Sequence, residues 1–281
     1  MTILQHSPNS VYAAFDVFPT RKGAAIHIDK FARGLFEEFN GGLLYVLGNE
    51  YLPAYQIEEK IEIVRFKVTE QNYLRRALMF SENLSRLLDK GDLNLKLCHF
   101  RDIWSCLAIL GRQRKYKTLF EVNGLPSIEL PFLYSKISSE TIEKIREQER
   151  FCLKASDFII TPSNSIKQKV LSYGIADKKV EVIPNGALIK PKAERPLEAP
   201  TKYILYFGAL QPWQGVEVLL RAFARLRDLD DLFLVICASN YSRRAKLLNK
   251  LAYIAGSFPR KLPKVKASSK YFIAFWCSLP F

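Results

Sequence analysis

Apolar runs of six to eight residues recur along the first 190 positions: SVYAAF (10–15), GLLYVLG (42–48), IEIVRFKV (61–68), LKLCHF (95–100), KTLFEV (117–122), FIITPS (158–163) and KVEVIP (179–184). Most are rich in β-branched or aromatic residues and end at Gly, Pro, Asn or Ser, the pattern of strands. Helical periodicity fills several of the gaps. Ala24, Ile28, Phe31, Leu35 and Phe39 share one face of a helix over 23–39. A second helix is predicted over 140–155, with charge on its outer side. A third follows Pro162, with Ser165 and Gln168 at capping-box spacing and Gly174 as its stop. Strands alternating with helices predict a parallel α/β sheet covered on both faces.

After IPNG (183–186) comes ALIKPKAERPLEAPTK, rich in Pro, Lys and Glu, which reads as a linker. The alternation then restarts, with a strand at 203–207, a helix near 214–227, a strand at 232–237 and a helix near 242–254. The predicted organisation is a first domain over 1–187, a linker over 188–202, a partial second domain over 203–255 and an atypical tail over 256–281. So short a second half leaves its last strand with an unpaired edge, and predicts that 257–281 lacks a stable packed position.

Charge changes this picture little. The chain carries 42 Lys/Arg against 28 Asp/Glu, but nine of the cations lie between Tyr241 and Phe281, where there is no acid. The body is mildly basic, which suits an anionic small molecule as well as nucleic acid. No nucleic-acid-binding module supports the latter, so no nucleic acid is expected. No run reaches the ~20 apolar residues of a membrane span, and MTILQHSPNS does not read as a secretory signal. Cys98, Cys106, Cys152, Cys237 and Cys277 are odd in number and scattered. They argue against a disulfide framework or a zinc site and for a reducing cytoplasm.

Neither a P-loop nor a G-x-G-x-x-G is present. The candidate chemistry sits at predicted strand ends, where open α/β sheets meet their ligands. Lys22 and Gly23 lie where a loop meets a helix N-terminus, a setting that favours an anion; a tight turn alone would also explain the glycine. CHFRDIW (98–104) brings His99 and Arg101 to one strand end. LFEVNGLPSIEL (119–130) brings Glu121, Asn123 and Gly124 to the next, a set able to bind sugar hydroxyls. Asn-Gly is also an ordinary turn. DLDD (228–231) has the spacing of a metal-holding D-x-D but lies in a turn, and no metal is assigned to it.

In this order KGAAIHIDKFARGL, the segment ERFCLKASDFIITPSNSIKQKVLSYGIADKKVEVIPNG (149–186) and ILYFGALQPWQGVEVLLRAF (204–223) resemble the group-one, family-four retaining glycosyltransferases of GT-B type. The resemblance covers roughly 10–255. It implies an α/β fold of two Rossmann-like domains, the second incomplete here, and sugar transfer from a nucleotide diphosphate sugar to a glycan or lipid-linked acceptor. No cofactor beyond that donor is implied. The expected location is cytoplasmic, with at most a peripheral contact at the inner face of the membrane. The resemblance assigns His99 and Asn123 to catalysis, Gly23, Gly208, Gln214 and Gly215 to donor binding, and Arg101 and Glu121 to the acceptor.

Three departures from the family pattern stand out. Ala209 and Gln214 occupy the places of an Arg and a Lys that contact the diphosphate, Asn123 replaces a histidine, and no acidic E-x7-E follows the second strand of the second domain. Impaired transfer through truncation is therefore expected; the alternative is a non-catalytic remnant or binding protein that keeps only the first domain's role.

Overall fold

The computed structural model describes residues 7–187 except 21, 68, 91 and 92, most of 199–239 (not 209, 211–213, 224, 227, 228 or 230), and the short stretches 266–267 and 271–277. The chain divides into two compact units, Met1–Ala187 and Leu188–Phe281.

The first unit holds β1 (Ser10–Val17), α1 (Gly23–Glu38), β2 (Gly42–Leu47), β3 (Tyr55–Glu58), β4 (Ile61–Phe66), α2 (Tyr73–Lys90), β5 (Leu97–Phe100), α3 (Ile103–Leu110), β6 (Lys117–Glu121), α4 (Pro126–Leu133), α5 (Ser139–Ala155), β7 (Phe158–Thr161), α6 (Asn164–Leu171) and β8 (Val180–Val182). The strands form one sheet in the order β3-β4-β2-β1-β5-β6-β7-β8. All neighbours are parallel except the β3–β4 pair.

Burial on both faces explains why the strands read as unbroken apolar runs. Along β1, Val11 and Ala13 join the core that includes Phe80 and Leu84 of α2 and Ile103 and Ile109 of α3. Tyr12 and Ala14 turn the other way, onto Ile28, Ala32 and Phe36 of α1. Between α1 and β2 the chain needs glycine at 41, where φ is +115° and a Cβ would stand 2.5 Å from the Lys60 carbonyl oxygen.

Two sequence expectations shift in detail. α6 begins at Asn164, and its N-cap is Ser163, whose Oγ accepts from the Ile166 amide at 3.3 Å; the predicted Ser165 cap lies inside the helix. The cysteines are not all unpaired. Cys106 of α3 and Cys152 of α5 form a disulfide with Cα atoms 6.1 Å apart, both fully buried. Spacing along the chain hides this pair, because 46 residues separate two helices that pack side by side.

In the second unit, β9 (Lys202–Phe207) runs parallel to β10 (Leu232–Ser239), and α7 (Val216–Phe223) packs Val216, Leu220 and Phe223 onto Leu234 and Ile236. The expected helix near 242–254 lies outside the described residues. Contrary to expectation, part of the tail is placed. β12 (Tyr271–Cys277) pairs antiparallel with β10 from Phe233↔Cys277 to Ser239↔Tyr271, with β11 (Lys266–Ala267) at its outer side. YFIAFWC has the aromatic and β-branched content of a strand, and it covers the edge of β10 that the sequence reading left open.

Candidate active site

β1 lies between β2 and β5, so the chain leaves it in opposite directions on its two sides. That reversal opens a crevice at the strands' C-terminal ends, the usual ligand position in such sheets. Asp102 joins the ends of the two strands. One carboxylate oxygen accepts from the Phe15 amide at 2.6 Å, beyond the middle of β1, and the other from the Ser105 amide at 2.7 Å, capping α3. Burial pushes the Asp102 carboxyl up to about 6, although the bonds from Phe15 and Ser105 oppose the rise.

Strand alternation sets the next layer. Tyr12 pairs with His99, and His99 with Leu119, so Glu121, two residues on, faces the same side. Its carboxylate, 2% exposed, accepts from Tyr12 Oη at 2.8 Å, contacts His99 Nε2 at 3.1 Å, accepts from Arg101 Nε at 3.0 Å, and accepts from Asn123 Nδ2. His27 Nε2, from the second turn of α1, stands 2.7 Å from the same carboxylate. Burial works against the charge on Glu121, but His27 and His99 outweigh it and hold the carboxyl well below its usual range. Burial, with Glu121 beside it, pushes the Tyr12 phenol far up, so it stays a proton donor.

Arg101 extends from this hub to Asp16 at 3.6 Å and to the Ala24 carbonyl at 3.4 Å, tying β5 to the β1–α1 connection. With Asn123 and Asp16 it lines a cavity of about 220 Å³ whose walls include Phe15, Tyr73 and Trp104. The far wall is the β6–α4 connection. Leu125 gives α4 no side-chain cap. Instead Glu149 of α5, fully buried, accepts from the Ser127 amide and from Ser127 Oγ, each at 2.7 Å.

The structure therefore brings four of the predicted site residues, His99, Arg101, Glu121 and Asn123, into one network. Arg101 and Asn123 line the cavity. His99, 3% exposed, packs on Tyr12 with ring centroids 4.5 Å apart and supports Glu121 from behind. Gly23 opens α1, and nothing lies within 4 Å of where its Cβ would be, so neither crowding nor a positive φ demands glycine there. Gly208, Gln214 and Gly215 belong to the second unit. Gly208 (φ +155°) follows β9, and Gly215 (φ +69°) precedes α7, so both backbone positions favour glycine; Gln214 is exposed beside the latter. Ala209 lies outside the described residues, as do Asp228 and Asp230 of DLDD; Asp231 pairs with Lys202 at 2.5 Å.

Sequence reasoning missed His27, Tyr12, Asp102 and Glu149. His27 carried one signal, a polar residue four positions before Phe31 of the apolar stripe; the two rings stack with centroids 4.2 Å apart. Among the described residues no group of three or more His, Cys, Asp or Glu side chains is placed to hold a metal ion, and no helix is long and apolar enough to cross a membrane.

Sheet order, crevice and polar cluster define a Rossmann-like α/β protein with a candidate ligand site at its strand ends. Residues 21–187 match the family model Glycosyltransferase Family 4, and the chain belongs to that family. Two uncharacterized glycosyltransferases of Methanocaldococcus jannaschii are similar to it. One is 26% identical over 255 residues, covering 83% of this chain and 63% of the relative; the other is 24% identical over 284 residues, covering 89% and 70%. The chain thus spans under two thirds of the first relative's length.

Among solved structures, sucrose-phosphate synthase from Thermosynechococcus elongatus superimposes with a TM-score of 0.63 at 16% identity, over 88% of this chain and 68% of that one. The catalytic domain of starch synthase IV from Arabidopsis thaliana, bound to ADP and acarbose, gives 0.59 at 13% identity, over 87% and 71%. HepE from Anabaena in complex with UDP and glucose gives 0.56 at 13%, over 88% and 66%. The fold is of GT-B type.

Proposed function

We propose that this chain transfers a sugar from a nucleotide diphosphate sugar to a glycan or lipid-linked acceptor, with retention of anomeric configuration and without a metal ion. The supporting observation is the Arg101–Glu121–Asn123 cluster on a cavity at the switch point of a Family 4 unit. Asn123 is the group nearest the transferred sugar in this reading. Its amide, oriented by Glu121, supplies a hydrogen bond, and it cannot titrate as the family's histidine can. Arg101, held by Glu121 and Asp16, contacts the acceptor. In the second unit Gly208, Gln214 and Gly215 are assigned to the donor, because backbone amides ahead of α7 favour a diphosphate. HepE, with its bound UDP and glucose, lends support through fold alone.

Gln214 can donate a hydrogen bond to the diphosphate but brings no charge, so donor affinity is weak and turnover slow. The same substitution allows the rival reading, a protein that binds an acceptor and turns nothing over. Incubation with a panel of UDP- and GDP-sugars, read by release of free nucleotide and by NMR of the product, separates the two. Slow transfer with the donor's anomeric configuration is expected, and Asn123→Ala should lower it by about a hundredfold, as loss of one oriented donor does elsewhere. An inverted product sinks the retaining assignment; no release from any donor leaves the binding role.

A further inference from the structure

The cavity at the ends of β1, β5 and β6 is not the anion site that a chain of net charge +14 suggests. Among the described residues its walls carry one cation, Arg101, and three carboxyl groups, those of Asp16, Asp102 and Glu129. Arg101 is already engaged by Glu121 at 3.0 Å and Asp16 at 3.6 Å. Asp102 is occupied by the Phe15 and Ser105 amides. Glu129, on the first turn of α4, differs. Among the described residues no hydrogen bond or ion pair engages its carboxylate. That carboxylate lies against Gly124, in space a Cβ there would take, so the glycine is what lets it sit at the cavity wall.

The other walls are ring surfaces. Phe15 and Tyr73 meet edge to face with centroids 5.5 Å apart, and Trp104 Nε1 donates to Tyr73 Oη at 3.2 Å. Such faces suit the C–H side of a sugar ring, while carboxylates around them suit its hydrogen-bond donors. The nearby cations do not reverse this balance. Arg76 stands about 6 Å from the Phe15 and Tyr73 centroids without lining the cavity. Burial raises the Asp16 carboxyl despite the attraction of Arg101 and Lys22, and raises Glu129 with no cation opposing it. The volume, about 220 Å³, is that of one ring rather than a chain of them.

We propose that this cavity receives a single sugar ring of the acceptor through donor groups, hydroxyls or an amine, and turns away acceptors that present a phosphate or carboxylate there. This deepens the glycosyltransferase reading but is tested apart from it, because acceptor binding is measured without donor or turnover.

The experiment is saturation-transfer NMR on the full chain at neutral pH, with methyl glucoside, glucosamine, glucuronate and glucose 6-phosphate as probes. The first two should bind saturably in the millimolar range and the two anions at least about tenfold more weakly, given the repulsion from like charge. Glu129→Gln keeps the side chain's shape beside Gly124, so the fold stays intact; it should weaken glucosamine about threefold relative to methyl glucoside, the size of a partly solvated ion pair. Anions bound as tightly as the neutral sugar overturn the proposal. So does a lack of saturable binding of either uncharged or amine sugar up to about 100 mM, or a Glu129→Gln profile identical to wild type. A protein that fails to transfer sugar yet shows the selectivity keeps this inference and loses the enzymatic one. Efficient transfer to an anionic acceptor ring does the reverse.

Discussion

Replacing Glu121 by alanine removes one carboxylate from beneath four hydrogen-bonded partners. Tyr12 Oη, Arg101 Nε and Asn123 Nδ2 lose their acceptor, His99 loses its 3.1 Å partner, and His27 loses its 2.7 Å neighbour. Arg101, with a side chain 14% exposed, would keep only Asp16 at 3.6 Å and the Ala24 carbonyl. Removing one partner of a buried pair costs about 3–5 kcal/mol, because the other is left charged and dry. Tyr12 and His99 add unpaired polar groups, while water entering from the cavity side relieves Arg101 and Asn123. A net loss of about 4 kcal/mol is expected, or roughly 8–16 °C for a unit of this size.

The assay is calorimetric unfolding of the full chain, following the transition of the first unit. Glu121→Gln isolates the charge. It keeps one acceptor and should lose about half as much. The sign with pH follows from the depressed carboxyl. Glu121 stabilises the fold above its unfolded pKa of about 4.3, and that contribution disappears as pH falls through the lower folded value. Wild type should therefore lose stability in acid faster than Glu121→Gln. An alanine variant within about 1 kcal/mol of wild type would refute the view that this carboxylate organises the site.

Reduction of Cys106–Cys152 should lower unfolding stability by about 2–4 kcal/mol through the freed 46-residue loop; an unchanged melting temperature, with both thiols alkylated in the native state, would deny the cross-link. Asp157 accepts from Arg114 Nη1 at 2.6 Å and from Thr118; burial opposes its charge, but those bonds pull its carboxyl down to about 2. Its contribution is present above about pH 4 and lost between there and about pH 2, so Asp157→Asn should be destabilised at neutral pH and lose less than wild type in acid. Gln214→Lys restores a cation ahead of α7 and, under the proposed donor role, should tighten binding of whichever UDP- or GDP-sugar of the panel binds by about fivefold to tenfold in calorimetry; no gain would place the diphosphate elsewhere.

The strand ends were legible because most apolar runs of the first unit stop at a turn-forming residue, and the order of the runs put Arg101, Glu121 and Asn123 near one edge before any coordinates. What the pattern could not show was strand order. Tyr12 meets Glu121 across β5, 109 residues away, and nothing local to Tyr12 separates it from an ordinary core aromatic. His27 reads as a polar position on a helix flank until α1 is laid over β5. Glu149 sits on α5 among exposed charges, and only the packing of α5 on α4 turns it inward. α2, α3 and α4 escaped explicit prediction. The last two are eight residues each, too short for helical periodicity to stand out from a buried apolar run. In the tail, a charge-poor aromatic run was read as an ending without a partner, because its complement, β10, lies more than 30 residues upstream.

The borders of the two sheets behave differently toward neighbouring molecules. The eight-stranded sheet ends in β3 and β8, four and three residues long, too brief to template another chain. The second sheet ends on β9, six residues without proline, KYILYF, with Leu205 55% and Phe207 74% exposed. A border of that length and composition is adhesive: among the described residues no strand lies on the outer side of β9, and its side chains add an apolar face. Lys202 is its only charge. Such a strand favours self-association, restrained over longer range by the mutual repulsion that a net charge of +14 provides. Salt, by screening that repulsion, acts on β9 before it acts on the fold.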